Sequence, residues 1–324
     1  MTSSMWMQRF LLLAMALTAC EPSASPELRP GGPGPSTRPA ATTTVATPHQ
    51  ALPVRTIPPP QPPDTSAYPW HHDPSIEPLE ATDDLFARFA PPPGFRRVPV
   101  ETRSFGGWLR HLPLAEPSTP VLDYAGGTVL PGDHRHLAAV TTIDVGDRDL
   151  QQCADAVMRL HAEWRWWRGE ADRVSYGSGF GPIPWTRFRR GEQPAYDGKR
   201  VQWAASKPAP DTHRAFRRYL DVVFSWSNTG ALERQGSPVS PEALRPGDFF
   251  VLPGNPGHTV LVLDLATDAA GRRVVLVGQS FMPAQRFQVL RPARDNAWFT
   301  LDDEGLKTPF WRTFPWSALR RLEG

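Results

Sequence analysis

The chain has 324 residues, with 35 Lys and Arg against 33 Asp and Glu and a formal charge of +2. That balance leaves no electrostatic footprint for nucleic acid or another polyanion, and two cysteines exclude a disulfide scaffold. The 38 prolines and 12 tryptophans are what depart from an ordinary composition, and about half of the prolines fall between Cys20 and Val100.

Met1 to Arg9 is weakly cationic, and an apolar run from Phe10 to Leu17 leads into Leu17-Thr18-Ala19-Cys20. This is the layout of a secretory signal peptide, and the run is shorter than the roughly 20 residues a bilayer span needs. A cysteine placed directly after Leu-Thr-Ala matches the lipoprotein pattern. Residues 1–19 are therefore read as a removed signal peptide, and Cys20 as the lipid-bearing residue that anchors the chain to a membrane. Glu21, rather than Asp, at the next position directs that reading to the outer membrane of a bacterial envelope, facing the periplasm. Residues 20–80 are rich in Pro, Thr, Ser and Ala with almost no periodic apolar positions, which predicts a disordered tether. Residues 81–324 are read as a single globular domain.

Within that domain, Thr82 to Phe89 predicts a short helix stopped by Pro91-Pro92-Pro93-Gly94, and Phe105 to Leu114 another short helix and loop. Leu137 to Val145 predicts a buried strand. Asp149-Leu-Gln-Gln152 has capping-box spacing and opens a long amphipathic helix, with Leu150, Cys153, Val157, Leu160, Trp164 and Trp167 on one face. Ser175 to Gly191 reads as a glycine- and aromatic-bearing loop, Gly177-Ser-Gly-Phe-Gly181 being a tight turn and not a phosphate loop. Val201 to Trp203 predicts a short strand, and His213 to Trp226 a helix with Phe216, Leu220, Val223 and Phe224 inward. From Asp248 onward the pattern is of strands separated by turns: Asp248 to Leu252, His258 to Leu265, Arg273 to Val277 and Arg286 to Leu290. Helices first and an antiparallel meander second define an α+β order.

No zinc helix, phosphate loop, serine elbow or Cys-x-x-Cys is present. His71-His72 lies in the tether and His134-x-His136 precedes a strand without carboxylates at ligand spacing, so neither metal nor other cofactor is expected. One constellation carries chemistry: Cys153 in the first turn of a helix, His258 opening a strand, and Gln279 ending the next. In that chain order a thiolate is stabilised by the helix terminus, an imidazole exchanges its proton with the leaving amine, and a third polar group orients the ring. The competing reading is structural, because cysteine behaves as a small hydrophobe and Cys153 lies on an apolar stripe. A further reading is a non-catalytic module in which tryptophans of the glycine-rich loops bind glycan or a partner protein.

Ser104-Phe-Gly-Gly-Trp-Leu-Arg-His-Leu-Pro-Leu114, Asp149-Leu-Gln-Gln-Cys-Ala-Asp-Ala-Val157, Pro246-Gly-Asp-Phe-Phe250, Pro256-Gly-His-Thr-Val-Leu-Val-Leu-Asp264 and Gly278-Gln-Ser-Phe-Met-Pro-Ala-Gln285 resemble a bacterial envelope family catalogued as domain of unknown function 4846. Gly247-Asp-Phe-Phe followed by His258-Thr-Val-Leu-Val also resembles the papain-like cell-wall amidases of the NlpC/P60 and CHAP groups. That second resemblance implies a papain-like arrangement with an inserted loop and helix around Ser175 to Trp226. It also implies a thiol hydrolase of cell-wall peptide or another amide, with Cys153 as nucleophile, His258 as base and acid, and Gln279 as orienting group. Asp248, Ser280 and Gln285 are carried as substrate-binding positions, Asp248 and Asp264 being read also as turn caps. Gln152-Cys153-Ala154 departs from the usual Asp-Cys-Ser/Gly, and the separation from Cys153 to Gly247 is longer than in a minimal domain of that type.

Overall fold

The computed structural model describes residues 63–324. The leader, Cys20 and most of the proline-rich segment lie outside them. Among the described residues the fold is α+β, with six α-helices: α1 (Leu85–Arg88), α2 (Phe105–Arg110), α3 (Cys153–Trp167), α4 (Trp185–Arg189), α5 (His213–Trp226) and α6 (Thr229–Gln235). None of them is long and apolar enough to cross a membrane.

A nine-stranded sheet organises the domain. Its strands are β1 (Arg96–Arg97), β2 (Leu137–Val140), β3 (Ser237–Pro238), β4 (Phe249–Leu252), β5 (His258–Thr267), β6 (Arg273–Gln279), β7 (Gln288–Leu290), β8 (Phe299–Thr300) and β9 (Leu319–Arg321). The spatial order is β3-β9-β4-β5-β6-β7-β2, with β1 added beside β5 and β8 beside β6. Every pairing is antiparallel.

β5 is buried at all but its last position, because both faces of the sheet are covered. Leu261, Leu263 and Ala266 enter the core shared with the helices, whereas Val260, Val262 and Leu265 enter a second core closed by Phe299, Phe314 and Leu319. A register shift between Val262 and Asp264 interrupts the two-residue alternation. It delivers the Asp264 carboxylate, fully buried, to Arg97 and Arg110, each at 2.6 Å. Asp264 is thus an ion-pair centre rather than a turn cap, and leaving it unpaired at that depth would be costly.

The long helix starts where its backbone donors find partners. Gln152, not Asp149, is the N-cap; Asp155 Oδ2 accepts the Gln152 amide at 3.1 Å, and Gln152 Nε2 donates back to Asp149 Oδ1 at 2.9 Å. Val157, Leu160 and Trp164 then pack into the helix-side core. α5 buries Phe216, Leu220, Val223 and Phe224 as its spacing predicts, behind a Thr212 cap whose hydroxyl accepts the Ala215 amide at 3.3 Å.

Two regions differ from the sequence reading. The segment from Ser175 to Gly191 is not simply a loop: Ser175–Ser178 pairs with Gly181–Pro184 in a hairpin, and α4 follows. Gly181, at φ +128°, supplies a backbone conformation that side chains disfavour, and Trp185 and Phe188 are buried beside α5. The packed region also begins before residue 81. Trp70 is completely buried, its Nε1 donating to Thr142 Oγ1 at 3.2 Å, and the Tyr68 hydroxyl donates to the Trp108 carbonyl at 3.0 Å. Residues 63–80 therefore form a strap on the domain, although the sequence reading places them in a tether.

Candidate functional site

Cys153 is the first residue of α3, so its sulfur lies among the unpaired amides of a helix start. The thiol meets the Gly257 carbonyl at 3.9 Å, and Cys153 is only 4% exposed. Burial, reinforced by the nearby Asp155 carboxyl, pushes the thiol up to about 12, while the amides of Ala154, Thr259 and Cys153 itself act the other way. Gly257 is a glycine for a steric reason: a Cβ there would lie 2.2 Å from Thr229 Oγ1. The turn preceding β5 can therefore close tightly against α6 and α3.

His258 opens β5 and is completely buried. Its Nε2 donates to Gln279 Oε1 at 2.8 Å, joining the start of β5 to the end of β6. With the ring hydrogen on Nε2, the lone pair resides on Nδ1, and Nδ1 has no hydrogen-bond partner among the described residues. Phe281, Trp311 and Phe314 enclose the ring, with centroid separations of 4.7, 4.9 and 6.1 Å. Burial pulls the imidazole down to about 4, opposed by the Gln279 hydrogen bond.

The structure thus brings His258 and Gln279 together as the sequence expects. Cys153 arrives at the backbone just before His258, and no Cys153–His258 hydrogen bond occurs among the described residues. Val260 and Val262 share the His258 side of β5 and belong to the Phe314 core. The thiol meets the carbonyl of Gly257, the residue before His258.

Cys153 lines a cleft of about 290 Å³ whose wall also includes Asp149, Asp155, Asn228, Gly257 and Met282. Of the other expected positions, Ser280 donates its hydroxyl to the Gln285 carbonyl at 2.7 Å, with the Gln151 carbonyl 3.2 Å from the same oxygen. It thereby fixes the loop beside α3. Gln285 is buried, and its Oε1 has no partner among the described residues. Neither residue lines the Cys153 cleft. Asp248 lies elsewhere too: its carboxylate holds Arg321 at 2.6 Å and accepts the Arg245 amide at 2.8 Å, beside a separate cavity of about 400 Å³. Burial raises its pKa despite those partners. Sequence reasoning missed Asp155 and Asn228. Both are capping residues of helices, a local role that hides a place on a cleft wall.

A family profile described as "Domain of unknown function (4846)" matches residues 85–321. No curated protein and no solved structure matches the chain.

Proposed function

The chain belongs to the family described as domain of unknown function 4846, and from the site itself we propose that the domain is a thiol hydrolase with a papain-like arrangement. Its substrate is cell-wall peptide or another amide. One observation carries this reading: Gln279 holds His258 through Nε2 and leaves Nδ1 without a partner, one residue beyond the carbonyl that contacts the Cys153 thiol. Cys153 Sγ attacks the amide carbon after its proton passes to His258 Nδ1. The C–N bond breaks as that proton moves to the leaving amine, giving a thioester that water then hydrolyses, restoring the thiol. Amides at the start of α3 stabilise the negative charge that develops. In the same reading, acylated Cys20 anchors the protein in the bacterial envelope, with the outer membrane and peptidoglycan as its surroundings.

A second reading is favoured by a different observation. A thiol near 12 and an imidazole near 4 leave the proton on sulfur at neutral pH, as in a packed core. On that basis the domain is a binding module for glycan or protein, without turnover.

Incubation of the full chain with isolated cell-wall peptides separates the two. The hydrolase reading expects new amines from wild type and a loss of at least about 100-fold in Cys153→Ala. Equal release by the two proteins overturns the assignment of Cys153 as nucleophile; no release by either, together with retention on sacculi, supports the second reading.

A further inference from the structure

The chain contains 35 Lys and Arg, yet among the described residues no lysine, arginine or histidine side chain lines the Cys153 cleft. The charge-bearing wall residues among them are Asp149 and Asp155. The adjacent Arg148 lines a different cavity and gives its Nη2 to Asp221 at 2.7 Å. Asp149 is exposed, and its Oδ1 accepts the Ala284 amide at 2.7 Å and Gln152 Nε2 at 2.9 Å. No ion pair engages it among the described residues.

Asp155 supplies an independent observation. It is only 7% exposed, its Oδ2 takes the Gln152 amide, and its Oδ1 has no hydrogen-bond partner among the described residues. Buried polar atoms left in this condition are rare because each forfeits its hydration. An ammonium group is the donor that satisfies such an acceptor best, since a charge-assisted bond in a partly desolvated site exceeds a neutral one.

We propose that the Cys153 cleft selects amides carrying a protonated amino group close to the scissile bond, with the ammonium held between Asp149 and Asp155. This deepens the hydrolase reading and rests on it. The roles divide by charge: the amides at the start of α3 serve the developing anion at sulfur and carbonyl oxygen, and the two carboxyl groups serve the cation. Burial raises the Asp155 carboxyl well above its ordinary range. An ammonium beside it acts the other way and favours the carboxylate.

The test uses the full chain with Cys20→Ser, which leaves Cys153 as the single thiol. Two methanethiosulfonate reagents are compared, one bearing 2-aminoethyl and one bearing 2-sulfonatoethyl. In each the Cys153 thiolate attacks the sulfenyl sulfur, a disulfide forms, the S–SO₂ bond breaks and methanesulfinate leaves with the electron pair. Rates are divided by those of N-acetylcysteine to remove intrinsic reactivity. The cationic reagent is expected to be favoured by at least about tenfold, and Asp149→Asn, which keeps the acceptor oxygen, to reduce that preference by at least about threefold. Asp155→Asn provides a second variant with the same expectation. Equal normalised rates, an anionic preference, or a preference untouched by both variants overturns the charge selection while leaving Cys153 an accessible nucleophile. Failure of both reagents to modify Cys153 overturns the hydrolase reading, and this proposal with it.

Discussion

Gln279 Oε1 accepts the Nε2 hydrogen of His258 at 2.8 Å across two adjacent strands, and both residues are sealed from solvent. The bond sets the tautomer, because it commits the ring hydrogen to Nε2. Gln279→Leu removes the acceptor and strands a buried donor, at a cost of about 1–3 kcal/mol. Gln279→Glu instead places a carboxylate against the ring and raises the imidazole from its value of about 4. Denaturant unfolding of the first variant and imidazole NMR titration of the second measure these effects. An unchanged His258 titration in Gln279→Glu contradicts the assignment.

Trp70 tests the strap. It precedes the family match, which starts at residue 85, yet it packs against Tyr68 and Trp108 at centroid separations of 5.3 and 5.8 Å. Trp70→Ala is expected to destabilise the domain by about 3–5 kcal/mol. A change below about 0.5 kcal/mol, the usual surface value, would mean that the strap contributes nothing.

His213 clasps the same strap to α3. One ring nitrogen meets Asp73 Oδ2 at 2.7 Å and the other meets Glu163 Oε2 at 2.8 Å. Burial disfavours charge on this ring, but Glu163 and Asp73 outweigh it together with the opposing Arg159, and the pKa lies above the ordinary 6.5. A raised histidine pKa contributes stability that is fully present below the unfolded value and is lost as pH rises through the folded one. Wild type is therefore expected to lose stability, relative to His213→Gln, as pH climbs from about 6.5 through the elevated value. Parallel stability curves for the two proteins across that window would remove the clasp.

What could be read in the sequence follows from which signals are local. The three- and four-residue spacing of Phe216, Leu220, Val223 and Phe224 records the buried face of α5 directly. His258 and Gln279 were legible because each marks a strand end, and a short turn makes those strands neighbours. Tyr68 and Trp70 were not legible, since two aromatics among prolines carry no period and their partners, Trp108 and Thr142, are distant in sequence. The enclosure of the imidazole was equally hidden. Trp311 and Phe314 come from the last part of the chain, where no repeating pattern announces a second core. The side of β5 taken by His258 depended on that core as well.

In the proposed hydrolase Cys153 and His258 act as a pair, and the pH dependence of Cys153 alkylation tests that pairing most directly. Iodoacetamide labelling of the Cys20→Ser chain is compared with the same chain carrying His258→Asn, each followed from pH 5 to 11. The pair predicts labelling of wild type at neutral pH that falls at least about tenfold in the variant. Labelling that appears only as pH rises toward 12, identically in both proteins, would contradict it and leave Cys153 as a core residue.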